Sequence, residues 1–220
     1  KSKNINNRYK NKMTQLQEAK KIIVSLGKTT KMPCPSYNTP ASMCGMGSRL
    51  RKLKDSVCSG CYAFKGHYVY SSVQQGLLKR FHAFKHPRYV EAMSYMINRY
   101  CTSHFRWFDS GDLYDMKMLE KIVMVCQQTP KIKHWLPTRE VRIVKDYLKI
   151  YKEFPKNMVV RISAPLIDGK PLKSFRWTST VHHYKEPIGH DCPSRFQDNK
   201  CQSCRACWDR RRKNISYHKH

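Results

Sequence analysis

Eight of the ten cysteines in this 220-residue chain fall into two sets: Cys34, Cys44, Cys58 and Cys61, and then Cys192, Cys201, Cys204 and Cys207. Thiols grouped in quartets are metal ligands when they are held reduced. The chemistry of the second set follows from its spacing. Cys201, Cys204 and Cys207 form a C-x2-C-x2-C run, the arrangement that delivers successive sulfurs to different irons of a cubane in bacterial-type ferredoxins. Three thiolates so spaced converge poorly on one small ion but suit the corners of a cluster ~2.7 Å on an edge. Cys192, followed by Pro193, is the remote fourth ligand. The first set contains one C-x2-C pair, Cys58 and Cys61, with Cys44 and Cys34 further upstream. Structural zinc, which needs four thiolates from two separated pairs, is the alternative metal there. The expectation is one or two [4Fe-4S] clusters, with zinc as the alternative. Cys101 and Cys126 stand apart and read as ordinary buried thiols.

A second group of chemistry-bearing residues lies where strands are expected to end. Side chains just past the carboxyl ends of parallel strands line the ligand site of α/β proteins. On that rule Asp109, Asp112, Arg139 and His182 are candidate catalytic groups, and Ser110, Gly111, Thr138 and Ser163 candidate cofactor-binding positions. Two carboxylates around a glycine in "DSGD" exceed what a helix cap requires. Thr138 and Asp112 also suit capping of the helices that follow. Arg139 and Arg161 offer planar forks for a carboxylate or phosphate. His182 and His183 are adjacent on a strand, so only one meets the site.

The elements that must hold these groups follow from periodicity. Residues 14–26 have helical spacing, with Gly27 as a stop. Residues 28–70 carry four cysteines and little periodicity, and two helices are expected over 71–84 and 87–100, the second opening on Pro87. Beyond residue 100 the pattern alternates: strand in "HFRWFD", helix in "YDMKMLEKIVMVCQQ", strand in "IKHWLP", helix in "TREVRIVKDYLKIYKEF", strand in "NMVVRIS" and a further strand in "RWTSTVHH". Strand starts about 25 residues apart are the repeat of βα units in a parallel sheet. A full eight-fold barrel takes ~250 residues. The expected fold class is therefore α/β, a partial or distorted (β/α) barrel-like parallel sheet with long cysteine-rich loops at both ends. Residues 1–27 are read as a basic arm and helix. Residues 28–220 are read as a single domain with cysteine-rich segments 34–61 and 192–207.

The 43 Lys and Arg against 15 Asp and Glu give a formal charge of +28, a field that attracts nucleic acid or an anionic small molecule. "KRFHAFKHPRY" alternates basic and aromatic residues, as a nucleic-acid surface or as a helix with an aromatic inner face. No apolar run approaches the ~20 residues of a membrane span, so no membrane partner is expected. With no secretory leader in view, the thiols are read as reduced and intracellular. Oligomeric state is not encoded in any motif.

"MPCPSYNTPASMCGMGSRL", "SVCSGCYAFKGHY", "FRWFDSGDL", "HWLPTRE" and "CQSCRACWD", in that order from about Lys31 to Asp209, resemble the gene product eighty-eight family of bacteriophage proteins. The resemblance implies a viral iron–sulfur protein in the cytoplasm of an infected bacterial host. A looser similarity is to the radical S-adenosylmethionine superfamily, in which a three-cysteine motif ending CxxCY leaves one cluster iron open above a partial barrel. It implies Cys44, Cys58 and Cys61, followed by Tyr62, as the three ligands. The superfamily motif is compact, CxxxCxxC, whereas thirteen residues separate Cys44 from Cys58. Two functions compete: an iron–sulfur enzyme activating a small substrate, S-adenosylmethionine under this resemblance, at an open iron; and a non-catalytic nucleic-acid-binding protein with structural iron–sulfur or zinc sites. A three-plus-four division of the thiols favours the first, a four-plus-four division the second.

Overall fold

The computed structural model describes residues 15–29 and 31–219; the first twelve residues, expected to form an arm, lie outside them. Eight strands form one sheet in the order β1-β2-β3-β4-β5-β6-β8-β7. They are β1 Gly27–Lys28, β2 Pro35–Tyr37, β3 His104–Trp107, β4 Lys133–Thr138, β5 Met158–Ile167, β6 Thr178–His182, β7 His190–Asp191 and β8 Asn214–His218. Only β1 runs antiparallel to its neighbour. The sheet is open, with β1 and β7 at its edges. This is the expected α/β class, a partial barrel-like parallel sheet.

Helix α1 spans 15–23, and α2 to α6 are Gly45–Leu50, Ser71–Ala83, Tyr89–Tyr100, Met116–Gln128 and Val141–Tyr151. Asp115 opens α5 by accepting the Met118 amide at 2.7 Å, an N-cap that satisfies one of the first-turn donors. Several boundaries differ from expectation, and β5 runs on to Ile167, so Ser163 lies within that strand rather than past its end. α1 stops at 23, where Val24 turns left-handed at φ 69°, and Gly27 pairs in β1 instead of ending the helix. Pro87 precedes the first turn of α4, which begins at Tyr89.

Alternation along the strands sorts the side chains between two faces. Phe105 and Trp107 of β3, Leu136 of β4, and Met158, Val160 and Ile162 of β5 meet α4, α5 and α6 in the main core, which also takes Ala19 and Ile23 of α1. The other face carries Trp135 of β4 and Ile215 of β8. It is covered by the segment before β8, whose Cys207 and Trp208 pack there with Cys34. The Trp208 indole N–H donates to the Phe105 carbonyl at 2.8 Å, and its ring meets Trp135 edge-on at 5.3 Å.

Arg161, on β5, points into that face and is completely buried. It meets no carboxylate or phosphate. Its Nε donates to the Cys207 carbonyl at 2.9 Å, Nη2 to those of Ala206 and Asp209 at 3.1 and 3.0 Å, and Nη1 to that of Arg212 at 2.9 Å. The fork expected to hold a ligand instead pins the C-terminal cysteine loop. Arg161→Met should cost about 3 kcal/mol or more, because several buried carbonyls lose their donor together; urea unfolding of the variant against the parent measures this.

His134 lies in the main core with no exposed surface, its Nε2 2.8 Å from the Thr129 hydroxyl. Burial holds its pKa down at about 3. The unfolded chain takes up a proton below the ordinary histidine value of ~6.5 while the folded chain does not. Stability should therefore be full above pH ~6.5 and fall by about 1.4 kcal/mol per pH unit as pH drops toward the folded value. Chemical unfolding between pH 7 and 4 checks the slope, and His134→Gln should flatten that contribution.

Candidate functional site

The thiols divide differently from their order in the chain. Cys44, Cys58 and Cys61 all follow β2, on the carboxyl side of the sheet. The segment before Cys58 is tied to the end of β5: Val57 N–H donates to the Pro165 carbonyl and Ile167 N–H to that of Asp55, both at 2.9 Å. Cys44 immediately precedes α2. A Cβ placed on Gly47 would lie 2.9 Å from Cys44 Cβ, 3.6 Å from Cys44 Sγ and 3.9 Å from Cys58 Sγ. Glycine therefore leaves the gap between two sulfurs clear. Burial pushes the Cys44 thiol well up, and the negative charges of Asp112, Cys61, Cys58 and Glu140 add to it. Cys58 is likewise raised by burial, opposed by the Arg139 guanidinium.

Cys34 precedes β2 and belongs elsewhere. Burial pushes its thiol up to about 12, with Cys101 and Cys201 adding to the rise and Arg106 and Arg205 opposing it. It packs with Cys207 and Trp208, and Cys201 N–H donates to the Lys31 carbonyl at 3.0 Å. Spacing groups Cys34 with Cys44, Cys58 and Cys61; the strand β2 between them sends it to the opposite end of the sheet. There it joins Cys192, Cys201, Cys204 and Cys207. Cys201 is raised by burial and then by Cys192 and Cys204. Cys207, held at about 12 chiefly by burial, also feels Cys192 and Cys201, and its sulfur lies 3.1 Å from the Tyr217 hydroxyl. Cys204 Sγ is 3.8 Å from His190 Nε2. The division is three and five. Among the described residues no three His, Cys, Asp or Glu side chains form a group that could hold a metal ion, so the thiols are neighbours rather than a ready coordination sphere. Cys101 and Cys126 are buried, Cys126 within the helix core and Cys101 beside Cys34.

At the carboxyl rim the expected polar residues bind one another. Asp112 Oδ1 accepts from the Thr138 hydroxyl at 2.5 Å and the Leu113 amide at 2.7 Å, and Oδ2 from the Arg139 amide at 2.9 Å. Thr138 in turn accepts from the Glu140 amide at 3.0 Å. Even with those donors, burial raises Asp112 to about 6. Asp109 pairs with Arg106 at 2.8 Å and accepts from the Tyr68 hydroxyl at 2.7 Å, while its carbonyl accepts from Tyr62. The Ser110 hydroxyl donates to the Thr39 carbonyl at 3.0 Å.

Gly111, at φ +82°, sits so close to Thr39 that a Cβ would fall 2.7 Å from the Thr39 carbonyl oxygen. The close approach expected of a ligand is made by the chain itself. Ser163 accepts from the Ser179 hydroxyl at 3.0 Å. His182 Nδ1 lies 2.8 Å from Ser216 Oγ and Nε2 3.7 Å from Asp191 Oδ1, within a histidine group that includes His218. His182 is buried, whereas the His183 ring lies tilted against that of Tyr184 and its amide donates to Asp168.

Three contributors escape a reading of the sequence. Glu140 accepts the Met46 amide at 2.6 Å and so fixes α2 beside Cys44. Arg106 stands between the two thiol sets, paired with Asp109 and lying over Trp135 at 4.7 Å. Tyr68 buttresses Asp109. Glu140 sits in "LPTRE", but nothing local to it signals a contact 94 residues away in sequence.

Gly47→Ala should destabilise the protein by about 1 to 3 kcal/mol through overpacking, read as a lowered thermal midpoint, and should slow alkylation of Cys44 relative to the parent.

The Gene product 88 family model matches residues 1–210. No curated protein and no solved structure matches the chain. Because the match runs over nearly the whole sequence, the chain belongs to the Gene product 88 family of bacteriophage proteins.

Proposed function

We propose that the protein is an iron–sulfur enzyme in which Cys44, Cys58 and Cys61 hold one [4Fe-4S] cluster by three thiolates. Cys192, Cys201, Cys204 and Cys207 hold a second by four. The observation that carries this reading is the separation of Cys34 from the first set, which leaves three thiols beside the Asp112–Arg139 rim.

Three features of the first set support this reading, although its thiols would have to draw together to hold the group. The donors of the first set are thiols alone, as iron–sulfur clusters take. The gap kept by Gly47 lies between two of the sulfurs. Arg139 opposes the rise of the Cys58 thiol, so it favours the thiolate that ligation requires. Loading displaces protons from the raised Cys44 and Cys58 thiols and is favoured by higher pH. A cluster held by these thiols would supply an electron and a site for a small ligand, S-adenosylmethionine under the superfamily resemblance.

The chain's own groups then have distinct tasks. Asp112 is anchored by three donors and carries a pKa of about 6, which lets it hold or release a proton close to neutrality. Arg139 provides positive charge for a carboxylate. The Asp109–Arg106 pair fixes Tyr62 and Tyr68 next to Cys61, and so encloses the rim on that side.

Anaerobic iron and sulfide analysis with electron paramagnetic resonance, with and without S-adenosylmethionine, tests this. The parent should be brown with about eight irons, from two four-iron clusters, and its spectrum should change on adding S-adenosylmethionine. Serine at Cys44, Cys58 and Cys61 together should remove about half of the iron and the spectral response, while Cys34→Ser should keep the response. Colourless protein with stoichiometric zinc, or iron whose spectrum ignores S-adenosylmethionine, overturns the proposal.

A further inference from the structure

At the amino ends of the strands, away from the Asp112–Arg139 rim, the surface opens into a cleft of about 750 Å³. Its walls are the starts of β3, β4 and β5 and the loop from Cys204 to Arg212. Lys131, Lys133, Lys156, Arg205, Arg211 and Arg212 line it, and Asp209 is its one acidic lining residue. Arg211 already engages that carboxylate at 3.1 Å. None of Lys131, Lys133, Lys156, Arg205 or Arg212 forms an ion pair among the described residues. The three lysines and Arg212 are exposed. The concentration of positive charge is felt within the cleft: His104 is held below the ordinary histidine range first by burial and then by Arg205 and Lys133.

Unpaired cations converging on a concave surface repel one another unless an anion fills it. A small anion would satisfy one or two of them. A chain of phosphates, with one charge per ~1.7 Å of duplex axis, satisfies them all and releases condensed counterions as it does so. The lining offers no base-stacking platform, since Trp208 is its only Trp, Tyr or Phe and is 4% exposed. Stacking is what single-strand binders rely on, and contacts to phosphates alone carry no sequence information.

We propose that this cleft binds the phosphate backbone of duplex nucleic acid without sequence preference, on the end of the sheet opposite the rim. The inference rests on the cleft's charge and form and does not require metal in either thiol set.

The test is fluorescence anisotropy with a 20-base-pair duplex, a single strand of the same length and inorganic phosphate as competitor, across a salt series. The full-length parent should bind duplex more tightly than single strand, with affinity falling steeply with salt. The triple variant Lys131→Ala, Lys133→Ala and Lys156→Ala should bind about tenfold or more weakly at 0.1 M salt. It should lose about 2 to 3 from the magnitude of the log–log salt slope, as expected for three phosphate contacts. The control triple variant Lys145→Ala, Lys149→Ala and Lys152→Ala removes the same charge from exposed positions in and just after α6 and should bind like the parent.

Acetylation of the parent with and without duplex gives a readout free of folding effects: Lys131, Lys133 and Lys156 should be protected and Lys145 and Lys149 not. The proposal is overturned by equal losses in the two triple variants, by unprotected cleft lysines, by preference for the single strand, or by displacement with phosphate at constant ionic strength.

Discussion

The arrangement turns on one buried cation. Arg161 has no exposed surface and, among the described residues, no ion-paired carboxylate, yet it remains protonated, since a guanidinium does not lose its proton in proteins. Desolvating such a charge is costly, and the cost is offset here by carbonyl dipoles from Ala206, Cys207, Asp209 and Arg212. Burial lowers the Arg161 pKa from the ordinary value, and the neighbouring Tyr217, Cys207 and Asp209 oppose that. One side chain therefore fixes the backbone from Ala206 to Arg212, and with it the placing of Cys207 and of Trp208 on the open face of the sheet. Trp208 in turn reaches Phe105 and Trp135. The C-terminal thiols and the basic cleft wall share that anchor.

Nearer the rim, Arg106 has the corresponding role. It is paired with Asp109, lies over Trp135 and feels both Tyr62 and Cys207. The face of the sheet away from the helices is thus not a simple apolar interior. It is a ladder of cations and aromatic rings running between two groups of sulfur atoms, with the three-thiol group on the rim side and the five-thiol group below.

The regular middle of the fold is legible in the sequence because long amphipathic helices alternate with apolar strands between residues 104 and 163, and tertiary packing agrees with that local pattern. The edges are not. β2 is three residues long and β8 lies beyond the arginine run, so neither offers a periodicity that local reading can detect. The invisibility of β2 has the larger effect, because that strand separates Cys34 from Cys44 and carries them to opposite ends of the sheet. The rim is legible by position but not by partner: Asp112 and Arg139 do lie past strand ends and Thr138 is the last residue of β4, and their hydrogen bonds run to one another across 26 and 27 residues of sequence. Gly111 does permit a close approach, although what approaches is Thr39. Arg161 reads as a ligand fork because sequence reveals the fork and not the carbonyls it meets.

The position of β8 between β6 and β7 has a consequence for how the protein is made. During translation β7 leaves the ribosome before the strand that must separate it from β6, so the two cannot settle into their final places until residues 214–218 have emerged. Cys207 is synthesised just ahead of β8, and its backbone is locked only once its loop reaches Arg161. The backbone of the lower loop is therefore made after the strands that flank the rim thiols, and can close on the sheet only after them.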